Sequence, residues 1–162
     1  MYSHCPPNYI CPFCLLVKGT KNIHVDSEES DIIYKSTDIT AFIASRQWPN
    51  NHGHVLIIPN DHYENIYSLP TALATAIHCA SKYIALAMKK AYNCSGISLR
   101  QHNEPSGNQD VWHYHLHLFP RYPDDQLYAL SSESMATSER LVFATRLKRH
   151  LQLAHKDAAA NP

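Results

Sequence analysis

The fold this sequence predicts is α+β: a five-stranded, largely antiparallel sheet with one long central helix and a C-terminal helix. Two observations carry the prediction. Short β-branched runs separated by polar turns bracket one long segment of helical periodicity, and a second helical pattern closes the chain. Size and composition agree. A chain of 162 residues suits one domain with a single core, here taken as residues 1–162, and 44% hydrophobic with 17% charged residues is a globular composition.

Segments 31–35 (DIIYK) and 38–44 (DITAFIA) are short and β-branched, and the Ser36-Thr37 pair between them predicts a hairpin. Segment 54–59 (HVLIIP) reads as a third strand, entered through the polar turn 49–53 and ended by Pro59. Over 70–92 the period changes. Leu73, Ala76, Ile77, Ala80, Ile84, Ala87, Met88 and Ala91 recur at three and four residues, which describes an amphipathic helix with Pro70 in its first turn. Segment 96–102 reads as a fourth strand, 103–110 as a polar loop containing Pro105 and Gly107, and 111–119 as a fifth strand. After a Pro/Asp-rich turn, Phe143, Leu147, Leu151 and Ala154 mark the C-terminal helix, starting near Ser138.

Charge narrows the function classes. Fourteen basic residues balance 14 acidic ones, so no broad cationic surface is expected for a nucleic acid polymer or an anionic membrane, and any phosphate must be held locally. No apolar run reaches the roughly 18 residues of a membrane span, since 69–88 is interrupted by His78, Ser81 and Lys82. The start, MYSHCPPNYI, lacks the basic flank and apolar stretch of a secretory signal, so the expected compartment is the cytoplasm. Five cysteines, three of them within the first 14 residues, do not resemble a disulfide framework.

Histidine is the compositional outlier, with 12 copies. In His113-Tyr114-His115-Leu116-His117-Leu118-Phe119 the alternation is strict. On a strand the three histidines share one face, while Trp112, Tyr114, Leu116 and Leu118 point toward a core. The outer two lie roughly 13 Å apart along such a strand, which makes one metal bound by all three geometrically awkward, although two neighbours could share one. A neutral histidine can act as nucleophile or base while a protonated neighbour donates to an anion, so the row suits phosphoryl transfer.

The string HYHLHLFPR resembles the signature of the histidine triad family of nucleotide hydrolases and transferases, and the trailing Pro120-Arg121 resembles the branch that includes dinucleoside polyphosphate hydrolases. Segment 53–59 (GHVLIIP), then Asp61-His62, then Asn103-Glu104 and Gln109 are similar to the family in order and spacing, so the likeness runs over roughly residues 11–122.

The resemblance implies that His115 is the nucleophile toward an α-phosphorus, forming a nucleotidyl-histidine that water resolves. It places His117 on the phosphate, His54 beside the triad, the 108–110 backbone (Asn108, Gln109, Asp110) around phosphate oxygens, and Asn103 at the substrate site. It also implies a homodimer with its sheets side by side. The chemistry is self-consistent: imidazole is a competent nucleophile at neutral pH, and backbone N–H groups can stabilise phosphoryl charge on a neutral protein. The chain departs from the family twice. Where the family has a ribose-binding Asp or Asn, this sequence runs Ala44-Ser45-Arg46-Gln47-Trp48, leaving Ser45 as a weaker partner. Asn108 stands where Gly is usual, at a position where left-handed backbone angles come easily only to Gly.

Cys11-Pro12-Phe13-Cys14 is a C-x2-C pair, read as a metal knuckle, a redox pair or two small buried residues. No βαβ unit surrounds it, which disfavours the redox reading. The resemblance points to His62 and His113 completing a Cys2His2 site for one structural zinc per chain, with residues 1–20 as the knuckle segment and 123–162 as a C-terminal extension. His4, His24, His52 and Cys5 compete less well. His78, His150 and His155 read as solvated helix positions, and Cys79 and Cys94 as core or near-core thiols.

The expected function is therefore a hydrolase or transferase on a nucleoside 5′-phosphate derivative: a dinucleoside polyphosphate, a nucleoside phosphoramidate or an adenylylated metabolite. Two alternatives stand beside it, a nucleotide-binding protein with incidental turnover and a metallohydrolase that uses the histidine strand as metal ligands.

Overall fold

The computed structural model describes residues 2–160, with side chains through Leu151. Five strands form one sheet in the order β1-β2-β4-β6-β5: β1 (Ile32–Lys35), β2 (Ile39–Ile43), β4 (Val55–Pro59), β5 (Gly96–Gln101) and β6 (Leu116–Arg121). Every pairing is antiparallel. A second ribbon pairs the two-residue strands β3 (Arg46–Gln47) and β7 (Glu133–Ser134).

The helices explain why the central strands read as continuous apolar runs. One face of the sheet, including Ala41, Ile43, Val55, Ile57, Leu116 and Leu118, packs against α2 (Thr71–Tyr92) and α3 (Thr137–Ala160). The other face, with Phe42, Leu56 and Ile58, is covered by Phe13 and Leu16 of α1 (Pro12–Val17). All five positions of β2 and of β4 are buried, so neither strand has a solvent face to alternate toward.

The turn into β4 needs a glycine. Gly53 has φ +92°, and a Cβ there would come within 2.6 Å of Cε2 of Tyr92. The start of α3 is anchored by a buried ion pair in which both Arg140 Nε and a terminal Arg140 nitrogen donate to the Asp31 carboxylate at 3.0 Å. Arg140 also donates to the carbonyls of Met135 and Asp26, fixing the loop before β1 against α3.

Three expectations are corrected. The histidine segment does not form one strand over 111–119, because pairing begins only at Leu116. Upstream, the Tyr114 N–H donates to the Tyr63 carbonyl and the His113 N–H to Val111, so the chain follows the loop after β4 instead of β4 itself. Trp112 is half-buried against His4 at a ring separation of 6.0 Å and does not join the core. Cys79 is exposed on α2, whereas Cys94 is buried. His78 is exposed and His150 half-buried, while the side chains of Ala154 and His155 lie outside the described residues. Among the described residues no helix is long and apolar enough to cross a membrane.

Candidate functional site: a histidine row beside a cysteine–histidine cluster

Backbone carbonyls set the tautomers of the histidines. His115 Nδ1 lies 2.7 Å from the His113 carbonyl, which only accepts, so Nδ1 carries the proton and Nε2 keeps a lone pair. That Nε2 lies 3.8 Å from Oδ1 of Asp110, a carboxylate whose side chain is 82% exposed. Burial pushes the His115 pKa below its ordinary value, so the ring is neutral at physiological pH. The same holds for His117, pushed well down by burial and by His115 and His54, and for His54, pushed down to about 3 chiefly by burial.

His54, His115 and His117 line a cavity of about 200 Å³. Phe13, Leu16, Trp48 and Leu56 supply apolar walls, and Asp26, Ser45 and Asp110 supply polar ones. The Trp48 ring stands edge-on to His54 and Phe119, with centroids 5.6 and 5.1 Å away, and its indole N–H donates to the Leu130 carbonyl. The ribbon of β3 and β7 thus ties the C-terminal extension to one cavity wall. Gln47 holds the preceding loop closed, its amide donating to the Ala44 and His54 carbonyls and accepting from the Gly53 and His54 N–H groups.

The other candidate residues separate into two groups. Ser45 and Asp110 line the cavity. Asn103 and Gln109 instead brace the loop: Asn103 accepts the Ile66 N–H, and Gln109 accepts the Glu104 N–H while donating to the Glu64 and Val111 carbonyls. Asn108 takes φ 65° and ψ 31°, the left-handed conformation that Asn tolerates better than most residues, so the loop bends there without glycine.

Beside the row, Cys11, Cys14, His62 and His113 place one donor atom each within 4.8 Å of one another. Helix α1 brings the cysteines together, with Cys11 as its N-cap and its sulfur accepting the Cys14 N–H. Cys11 Sγ lies 3.3 Å from His113 Nδ1, and Cys14 Sγ lies 3.3 Å from His62 Nδ1. His113 Nε2 is 3.0 Å from the Pro59 carbonyl, so that nitrogen donates and Nδ1 faces the thiols as an unprotonated acceptor. A hydrogen bond from Cys14, reinforced by His113, pulls the Cys11 thiol down from its ordinary value, while Cys11 and burial push Cys14 up. Two soft sulfurs and two imidazoles, one held by a carbonyl behind it, fit the donor set and outer support of a tetrahedral zinc site. His4, His24, His52 and Cys5 stand outside the group.

Two residues at the row escaped the sequence reading. His102 stands edge-on to His117 at 5.7 Å, with Nδ1 bonded to the Gly107 carbonyl, and Arg100 lies over Phe119 and Trp48. Arg100 lies on β5 and His102 just past its end, two residues on, but only the pairing of Arg100 with His117 puts that face beside the histidines.

The HIT domain model matches residues 26–124 of the chain. The protein named Protein hit from Bacillus subtilis is 32% identical over 119 residues, covering 74% of this chain and 74% of that protein. Adenylylsulfatase HINT3 from Arabidopsis thaliana is 29% identical over 122 residues, 75% of this chain and 57% of that protein. The crystal structure of a zinc-bound histidine triad family protein from Mycobacterium smegmatis matches with a TM-score of 0.73 at 25% identity, covering 92% of this chain and 96% of that one. With the domain model spanning more than half of the sequence, this chain belongs to the HIT domain family.

Proposed function

We propose that the protein is a hydrolase or transferase acting on the α-phosphate of nucleoside 5′-phosphate derivatives through a nucleotidyl-His115 intermediate. The observation that carries this reading is the His115 ring. Its Nδ1–H is committed to the His113 carbonyl, so Nε2 offers its lone pair at the cavity. The HIT membership and the naming of the Arabidopsis relative as an adenylylsulfatase support chemistry at a nucleotide phosphorus.

In this mechanism Nε2 attacks the α-phosphorus, the bond to the leaving group breaks, and water then attacks the same phosphorus and returns the electron pair to Nε2. An arriving phosphate brings the negative charge that the row lacks. The proton it draws onto His117 gives that ring a donor toward a phosphate oxygen, with His54 behind it. Asn108, Gln109 and Asp110 present the loop backbone to the phosphate, Ser45 faces the ribose, and Asn103 positions the loop.

Cys11, Cys14, His62 and His113 would hold one zinc ion per chain, whose contribution is to tie the N-terminal knuckle to the sheet. That His115 and His117 stand outside this donor set supports a structural role over the metallohydrolase reading. The same reading takes residues 1–162 as one cytoplasmic domain that works as a homodimer.

The test is replacement of His115 by Gly. Turnover of diadenosine tetraphosphate is expected to fall by at least about three orders of magnitude while nucleotide binding persists, and mass spectrometry of the quenched parent should find the nucleotidyl adduct on His115. Activity retained in the variant removes the assignment.

A further inference from the structure

On the edge strand β5, Arg100 stands directly opposite His117 in the antiparallel register. Residues so paired project to the same face, with Cβ atoms about 4.5–5.5 Å apart. The guanidinium carbon lies 4.7 Å from the centre of the Phe119 ring and 5.3 Å from that of Trp48. Stacking occupies the faces of the guanidinium and leaves its in-plane donors uncommitted. Among the described residues no hydrogen bond or salt bridge meets it, and its Nε is buried and unpartnered.

This sets Arg100 apart from the other arginines that anchor the fold. Arg121 is clamped by both oxygens of Asp125, and Arg140 by both oxygens of Asp31. Burial pulls the Arg100 pKa down, with the Asp110 carboxylate opposing this only from a distance, so a half-buried cation with no paired carboxylate is unfavourable in the resting protein. Such a group is useful where an anion arrives and leaves.

Its position says which anion. The cavity walls come from α1, the 24–27 loop, the 44–48 segment, β4 and Asp110-Val111 around the β6 histidines; Arg100 does not line the cavity, although its guanidinium overlies the Trp48 wall. It stands on the β5 side. A phosphorus over His115 and His117, with its nucleoside in the cavity, would direct the group it loses toward β5.

We infer that Arg100 binds the departing half of the substrate, and that this half is a phosphate, which makes the preferred substrate class nucleotide anhydrides over phosphoramidates with a neutral amine. The inference rests on the nucleotidyl-His115 reading. In the step concerned, the Nε2 lone pair of His115 forms the N–P bond, the P–O anhydride bond breaks, and its electron pair stays on the departing oxygen. A phosphate leaves in this way without taking a proton, its charge meeting a guanidinium that does not titrate. An amine leaving group must collect a proton as it departs and gains nothing from a cation there. In the second step a water O–P bond forms, the N–P bond electrons return to Nε2, and one water proton passes to solvent.

The experiment compares the parent with Arg100→Gln and Arg100→Lys on diadenosine tetraphosphate and on an adenosine phosphoramidate with an arylamine leaving group. Expected is at least a tenfold fall in the ratio of the two kcat/KM values, anhydride over phosphoramidate, in Arg100→Gln, with Arg100→Lys recovering part of it. Equal losses on both substrates, or an unchanged ratio, overturn the assignment, as does an oligomeric state altered in step with an equal loss. Equilibrium binding of ATP and AMP gives a second readout that needs no turnover, the preference for ATP falling about tenfold or more in Arg100→Gln. A parent that turns over neither substrate removes the nucleotidyl-His115 reading. The ATP-to-AMP affinity ratio then decides Arg100 alone, and an unchanged ratio counts against it.

Discussion

His54 Nε2 lies 3.0 Å from His117 Nδ1, and the two rings are inclined by only 8°. The proton between them has a definite owner. His54 Nδ1 faces the Arg46 carbonyl at 3.3 Å and must donate to it, so His54 Nε2 accepts and His117 Nδ1 donates. One carbonyl in β3 therefore sets the tautomer of a ring on β6, three strands further along the chain. In the proposed mechanism this makes His54 a positioning residue, and its replacement should be felt at His117.

Replacing His54 by Ala is expected to lower kcat for diadenosine tetraphosphate by about tenfold or more and to shift the pH profile, because His117 loses the acceptor that fixes its tautomer. Steady-state kinetics over pH 5–9 checks this. A profile superimposable on the parent's would show that the contact does not reach the chemistry.

The buried His54 also makes stability depend on pH. Its pKa is pushed from 6.5 down to about 3 by burial, so between those values the unfolded chain binds a proton there that the native state refuses. Stability contributed by keeping the ring neutral is full above pH 6.5 and is lost as the pH falls toward 3. One such group changes the unfolding free energy by about 1.4 kcal/mol per pH unit inside the window. Urea unfolding of the parent and of His54→Asn across this range should differ in slope by about one proton, and parallel slopes would contradict the burial argument.

Removal of one sulfur should empty the cysteine–histidine cluster. Elemental analysis of Cys11→Ser is expected to find about one metal per chain fewer than in the parent, with a lowered Tm, while chelation of the parent chiefly destabilises folding. Unchanged stoichiometry would locate the metal elsewhere.

The Asp31–Arg140 pair offers a test away from the cavity. Arg140→Ala leaves the fully buried Asp31 carboxylate without its cation, and a loss of about 3–5 kcal/mol is expected from chemical denaturation. A loss below about 1 kcal/mol would show that water or a rearranged loop replaces the guanidinium.

The sheet and both long helices were legible because their signals are collective: β2 and β4 are short runs of mostly apolar, β-branched residues, and α2 repeats over many turns. Helix α1 was not, since six residues with Pro12 at the start hold too few turns to show a period. Strands β3 and β7 are two residues each and exist only because the chain returns past Trp48. The histidine alternation marked the right face, but the strand start was misread, because a backbone bond to Tyr63 outside the segment sets where pairing begins. The donor set of the cluster emerged from motif spacing together with family resemblance. Arg100 needed a cross-strand register, which no local pattern encodes.

Trp48 touches the His54 and Phe119 rings, lies under the Arg100 guanidinium and forms part of the cavity wall. Its emission is therefore expected to change with what occupies the space beside it, and Trp112, the other indole of the chain, rests against His4 outside that cavity. With Trp112 replaced by Phe, the remaining indole is expected to report occupancy of the proposed nucleotide cavity without a label.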